Sequence, residues 1–253
     1  MKLSSAFIAV AAAVVTVFFA TACSKIYDYV KQHPGAEVKS CRVKSVNIGI
    51  DTVFIYYNAA GDPTDMIRNL QNSGWQGDRH FRYDENHRLK DYYWANEGVN
   101  YRLIWHRYSY PNKTTVIDSS FTYIEDGSGP NPPIKNLHSV SVDSLDAEGR
   151  IVKITYPDMP LSVEYFTYNT KGNLDLPNAH YDNKLSIYRT NRVWMFLMNN
   201  YSASNLLSRS GLTLAISNYN VAGLPLDFAA TFNNTDILFV TLNGKLQVNY
   251  DCN

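Results

Sequence analysis

One short pattern recurs along this chain and constrains its fold more than any other feature: tyrosine, then asparagine or aspartate, two loosely specified residues, and glycine. Its clear copies are Tyr57-Asn58-Ala59-Ala60-Gly61, Tyr168-Asn169-Thr170-Lys171-Gly172 and Tyr219-Asn220-Val221-Ala222-Gly223. Weaker ones are Tyr83-Asp84-Glu85-Asn86-His87 and Leu145-Asp146-Ala147-Glu148-Gly149. The spacing has a mechanism. An Asn or Asp side chain at the first turn position bonds the backbone two residues on, and glycine at the fourth accepts a positive φ. A type I turn followed by such a left-handed residue is a common hairpin loop. His87 replaces glycine in one copy, and histidine is among the residues that tolerate that region best.

Segments rich in β-branched and aromatic residues lie between these turns, over 53–57, 81–83, 92–94, 101–110, 117–124, 140–145, 151–156, 163–168 and 237–240. Several alternate: Val152, Ile154 and Tyr156 fall on one face, Ile151, Lys153 and Thr155 on the other. Hairpins repeated in sequence order predict an all-β fold, an antiparallel meander forming a curled sheet or closed barrel. Two stretches depart from this. Residues 125–133, with two glycines and three prolines, read as a long connection within the domain. The apolar run 193–198 lacks alternation, while Val193, Trp194, Leu197 and Met198 share a helical face. With Thr190 or Asn191 as N-cap, one short helix is expected near 191–201, packed over a face or end of the sheet.

The Tyr-(Asn/Asp)-x-x-Gly units, with Asp146-Ala147-Glu148-Gly149-Arg150-Ile151, resemble the YD repeats of Rhs-type proteins. Tyr181-Asp182-Asn183-Lys184, Thr190-Asn191, Val193-Trp194-Met195-Phe196, Tyr201-Ser202 and the 219–225 segment resemble a group of Bacteroidota lipoproteins of unknown function with a YD-repeat-like, porin-like β domain. That resemblance spans nearly all of residues 41–253. It implies an all-β body in the cell envelope and lends no activity.

The N-terminus reads as an address. Lys2 precedes an apolar run over 6–20, too short to span a bilayer, which needs about 20 residues, and suited to a signal-peptide core. Ala20-Thr21-Ala22-Cys23 resembles a bacterial lipobox, and it also fits an ordinary A-x-A cleavage site; both cut before Cys23. The expected division is a signal peptide over 1–22, a lipidated Cys23 with a tether to residue 40, and a single β domain over 41–253. The protein is expected in the envelope, held at the membrane by lipid on Cys23, with the outer membrane the expected site. Cys41 and Cys252 then form an even pair in an oxidising compartment. Bridged, they would require the first and last strands to meet; the alternative is two buried thiols.

Lys and Arg balance Asp and Glu at 23 each, with no basic run, so nothing favours a nucleic-acid partner. Six histidines at 33, 80, 87, 106, 138 and 180 form no metal-binding spacing, so neither a metal nor a cofactor is expected. No nucleophile elbow or phosphate-binding loop is present. A carboxylate pair meeting only in three dimensions is the remaining route to an enzyme, and none is expected. The aromatics are the more informative inventory, and Trp75, Trp94 and Trp105 are candidate ligand-contacting residues. The expected function is a non-catalytic binding or scaffold module for a glycan or another envelope protein. The alternative is a structural component that binds a protein partner through a sheet edge.

Overall fold

The computed structural model describes residues 26–49, 51–69, 78–95, 104–124, 134–230, 235–238, 240–242 and 244–252. The expected signal peptide over 1–22, Cys23, Trp75 and the expected connection over 125–133 lie outside the described residues.

The chain forms strands β1 (Cys41–Asn47), β2 (Thr52–Tyr57), β3 (Pro63–Arg68), β4 (Asp78–Tyr83), β5 (Leu89–Ala95), β6 (Ile104–Asn112), β7 (Thr115–Ile124), β8 (Ile134–Leu145), β9 (Ile151–Thr155) and β10 (Val163–Tyr165). They continue with β11 (His180–Leu185), β12 (Ser204–Arg209), β13 (Leu212–Tyr219), β14 (Pro225–Ala230), β15 (Thr235–Ile237), β16 (Val240–Leu242) and β17 (Lys245–Cys252). Fifteen of them make one antiparallel meander in the order β10 back to β1, then β17, β14, β13, β12 and β11; β15 and β16 form a separate hairpin. The all-β meander read from the sequence is therefore the fold. The sheet curls without closing: β10 and β11 are its two edges. Residues 237–240, expected as a strand, instead carry the turn of the β15–β16 hairpin, because Leu238 takes a left-handed φ of 48° and reverses the chain.

All five copies of the repeat are reversals built alike. Asn58 Oδ1 accepts the N–H of Ala60 and Asp62 at 3.0 and 2.9 Å, and Asn220 Oδ1 those of Ala222 and Leu224 at 3.0 and 2.9 Å. Asp84, Asp146 and Asn169 bond the second and fourth residues on in the same way. The fourth residue takes positive φ in every copy, His87 at 57° included. Three tyrosines, Tyr83 of the repeat and Tyr110 and Tyr250 outside it, share a task invisible in the motif, whereas Tyr219 donates to Asp182 Oδ2. Tyr83 donates to Pro63 O at 2.6 Å, and Tyr250 to Pro225 O at 2.7 Å, each carbonyl lying five residues past an earlier turn asparagine. Tyr110 bonds Leu89 O likewise, so each strand is pinned to the hairpin beside it. Burial drives the hydroxyls of Tyr83, Tyr110 and Tyr250 above the ordinary tyrosine range, keeping them protonated donors.

Strand order sets the polarity of the body. Cys41 opens β1 opposite Cys252, which ends β17, and the two are disulfide-bonded. Antiparallel alternation then places the turns at 58–61, 84–87, 146–149 and 220–223 at that same end. The opposite end carries longer connections, such as 96–103 between β5 and β6.

A short helical segment packs into the concave face, in one core with Ile237 and Leu238. A 3₁₀ turn (Ile187–Thr190) leads into a helix at Arg192–Leu197, the expected short helix, with Asn191 as N-cap accepting from the Val193 N–H at 2.9 Å. Trp194 is fully buried with its edge on Phe81 of β4, Phe196 meets Tyr108 of β6 edge-on, and Met195 joins Ile151 and Ile154 of β9. One six-residue helix reaches strands this far apart in the order only because the sheet wraps round it. The Arg189 side chain, also fully buried, donates to the carbonyls of Pro34, Ala36, Tyr201 and Ser202. Burial lowers its pKa to about 10, which leaves the guanidinium charged at neutral pH.

The segment expected as a tether is part of the packed body from residue 26 on. We number its helix, over 26–32, α1, and the helix at Arg192–Leu197 α2. Ile26, Tyr27 and Val30 share one helical face, and Val30 and Val38 are buried against Cys41, Leu185, Ala203 and Leu224. The Val38 N–H donates to Arg189 O at 2.6 Å, and Tyr27 Oη meets Ser204 Oγ at 2.6 Å.

Replacing Asn220 by alanine removes one acceptor from two backbone donors. It should destabilise the fold by about 1–2 kcal/mol, read as a lower urea midpoint with an unchanged slope.

Candidate functional site

Adjacent strands β4 to β8 carry two ladders, one per face. On the outer face His80, Tyr93, Trp105 and Phe121 stand opposite one another across the strands; on the concave face the rungs are Phe81, Tyr92, His106 and Ser120. Register thus places the expected tryptophans on opposite faces, because Trp94 pairs with Ile104 and Trp105 with Tyr93. Trp105 is spoken for: its Nε1–H donates to Asp91 Oδ1 at 2.7 Å and the Arg107 guanidinium lies 4.1 Å over its ring. Trp94 points into the curl, where its Nε1–H donates to Tyr92 Oη at 2.5 Å and the Arg79 guanidinium stacks 4.8 Å from the ring.

Trp94 borders a cavity of about 440 Å³ on the concave face of β5 to β9, near the end that carries the long connections. Its floor is Phe196, Leu197 and Asn199 of α2 and the residues that follow. Tyr92, Tyr108 and Tyr156 add aromatic wall. Ile104 and Ile154 add aliphatic wall, and the rest of the lining is polar and comes from alternate residues of three neighbouring strands: His106 on β6, Asp118 and Ser120 on β7, and Ser139, Ser141 and Asp143 on β8. A period of two puts these side chains on the inner face, and the pairing of Asp118 with Ser141 and of Ser120 with Ser139 brings them level.

His106 Nδ1 lies 2.9 Å from Asp118 Oδ2. Ser141 Oγ donates to Asp143 Oδ1 at 3.1 Å. The two acids are thus engaged separately, and among the described residues no serine is hydrogen-bonded to His106. Asp143 is 5% exposed. Burial first, then the charges of Asp118 and Glu164, push its carboxyl up to about 6 against the lowering effect of the Ser141 bond. Among the described residues no cluster of three or more His, Cys, Asp or Glu could hold a metal ion. A larger space of about 850 Å³ lies at the open seam, between β10 and the inner faces of β12 and β13, and Asn199 borders both cavities. The smaller one is the better site, because its polar groups converge and one of them is strained electrostatically.

Sequence reasoning reached Trp94 and missed His106, Asp118 and Asp143. The alternation His106, Tyr108 and Ser139, Ser141, Asp143 was legible as one-faced, but the meeting of these faces depends on register.

Because the folded chain holds the Asp143 proton more tightly than the unfolded chain does, ionisation is penalised in the fold. The penalty is absent below about pH 4, grows between about pH 4 and 6, and is complete above it. Asp143→Asn should therefore stabilise the protein by on the order of 2 kcal/mol at neutral pH, a gain that disappears in chemical denaturation at acidic pH.

No protein-family model matches the chain, and no curated protein matches its sequence.

Proposed function

We propose that the protein is a lipid-anchored module of the cell envelope that binds a carbohydrate in the concave cavity without transforming it. The observation that carries this reading is the lining: aromatic faces from Tyr92, Trp94, Tyr108 and Tyr156 beside the hydroxyl and carboxylate groups of Ser139, Ser141, Asp118 and Asp143. A sugar ring has apolar faces that stack on aromatics and a rim of hydroxyls that such groups bond. At about 440 Å³ the space is of ligand-binding size.

A glycan array probed with the purified protein tests this. Retention of a carbohydrate class, reduced at least about tenfold by Trp94→Ala through loss of stacking, is the expected result; Trp105→Ala should leave the specificity unchanged. No retained glycan, or cleavage of a retained one, would overturn the reading.

The anchor rests on Ala20-Thr21-Ala22-Cys23 and on the apolar run before it. Labelled fatty acid should enter the native chain, and Cys23→Ser should abolish the label and release the protein from the membrane fraction.

A second reading, a protein partner docked at the sheet edge, is favoured by the open seam. Beside β10, Leu161 is fully exposed, and Met159 and Tyr165 are mostly so. An unpaired edge with apolar neighbours is a template for strand addition.

A further inference from the structure

The charge inside the cavity is one-sided. Among its lining residues the ionisable side chains are Asp118, Asp143, His106 and the tyrosines, and neither lysine nor arginine is present. Arg79 stacks on Trp94 from β4 without lining the space. Asp118 is matched by His106 at 2.9 Å. Among the described residues no cation is paired with Asp143. Ser141 serves its Oδ1, and among the described residues Oδ2 has no donor; Asp143 lines the cavity.

The groups facing Asp143 explain why the fold does not satisfy it. From β7 comes Asp118, from β6 His106 and Tyr108, and from just past β9 Tyr156, which donates at 2.9 Å to Glu164 of β10, an exposed acid outside the lining whose charge also acts on Asp143. Helix α2 contributes Phe196 and Leu197, which cannot ionise. A carboxylate that is nine-tenths buried in a cavity it shares with Asp118, with no cation paired to it among the described residues, lacks a cationic donor.

We propose that the cavity receives a ligand bearing a protonated amine, which Asp143 Oδ2 accepts, and that the ligand is an amino sugar. The identification as a sugar rests on the carbohydrate reading above; the amine does not. An ammonium supplies the absent donors as charge-assisted hydrogen bonds and offsets the repulsion among Asp118, Asp143 and Glu164. Its carbon framework lies against Tyr92, Tyr108 and Phe196, whose ring faces also attract a cation. An anionic ligand meets the same repulsion that raises Asp143, and a neutral sugar leaves the buried charge uncompensated. Since Asp143 takes up its proton near pH 6, acid removes the attraction.

Calorimetric titration of the purified protein with three probes tests this: a β-linked glucosamine trimer, its fully N-acetylated counterpart, and spermidine. The glucosamine trimer should bind at least about tenfold more tightly than the acetylated one. Reckoned per protonated amine, its affinity should fall about tenfold between roughly pH 7.5 and pH 5 as Asp143 takes up its proton. Asp143→Asn, which should fold at least as stably as the native chain, should abolish both differences. Equal affinity for the two trimers would overturn the amine proposal and leave the carbohydrate reading standing. Binding of spermidine alone, with the same dependence on Asp143 and pH, would support the amine site and overturn the carbohydrate reading. Failure of all three probes would overturn the proposal.

Discussion

A single side-chain oxygen closes each repeat hairpin, and the rest of the architecture follows from it. In all five copies the Asn or Asp oxygen takes two backbone N–H groups that a tight reversal would otherwise leave to solvent. Because antiparallel pairing reverses the chain at each strand, these turns collect at one end of the sheet, where the tyrosine hydroxyls bind one hairpin to the next. The longer connections fall at the other end, and so does the cavity mouthed by Trp94, Ile104 and Tyr156.

A sheet that curls this far needs something inside it. Here the filler is short: one 3₁₀ turn and six helical residues, held by a guanidinium that bonds four main-chain carbonyls. Trp194 and Met195 are large enough to fill the concave face near the tight turns. Past Leu197 the chain turns away through Asn199, whose φ of 48° is left-handed, and the space beyond is left for the polar residues of β6 to β8. The site thus exists where the plug ends. Burying Asp143 there without a counter-ion lowers the stability of the fold, which is the usual relation between a binding group and its scaffold.

Much of the fold was legible because its signals are local. The turns, the hairpins around them, the short helix and its cap Asn191 each depend on fewer than ten consecutive residues. The meeting of Cys41 with Cys252 was legible too, since an even pair near the two ends of a body that curls has one economical partner. What escaped notice was non-local or atypical. Strand β3 starts at Pro63, and β12 opens Ser204-Asn205, neither rich in strand formers. The docking of α1 depends on Arg189, more than 150 residues away. Trp94 and Trp105 look equivalent as neighbouring strand aromatics, and only the pairing of β5 with β6 separates them. Asp143 is one acid among 23 until register sets it beside Asp118.

The covalent link between the first and last strands gives the body a mechanical character. Tension arriving from the N-terminus passes through residues 26–40 to Cys41 and is shared at once with Cys252. The two outermost stretches of the sheet's sequence therefore cannot be peeled away one rung at a time. A pull along the chain must first strip α1 from its seat and empty the Arg189 cage, and then it meets a hoop fastened at the tight-turn rim. Under thiol reduction the same pull would open β1 from β17 along their ladder, so the resistance of this protein to stretching is set by the redox state of its surroundings.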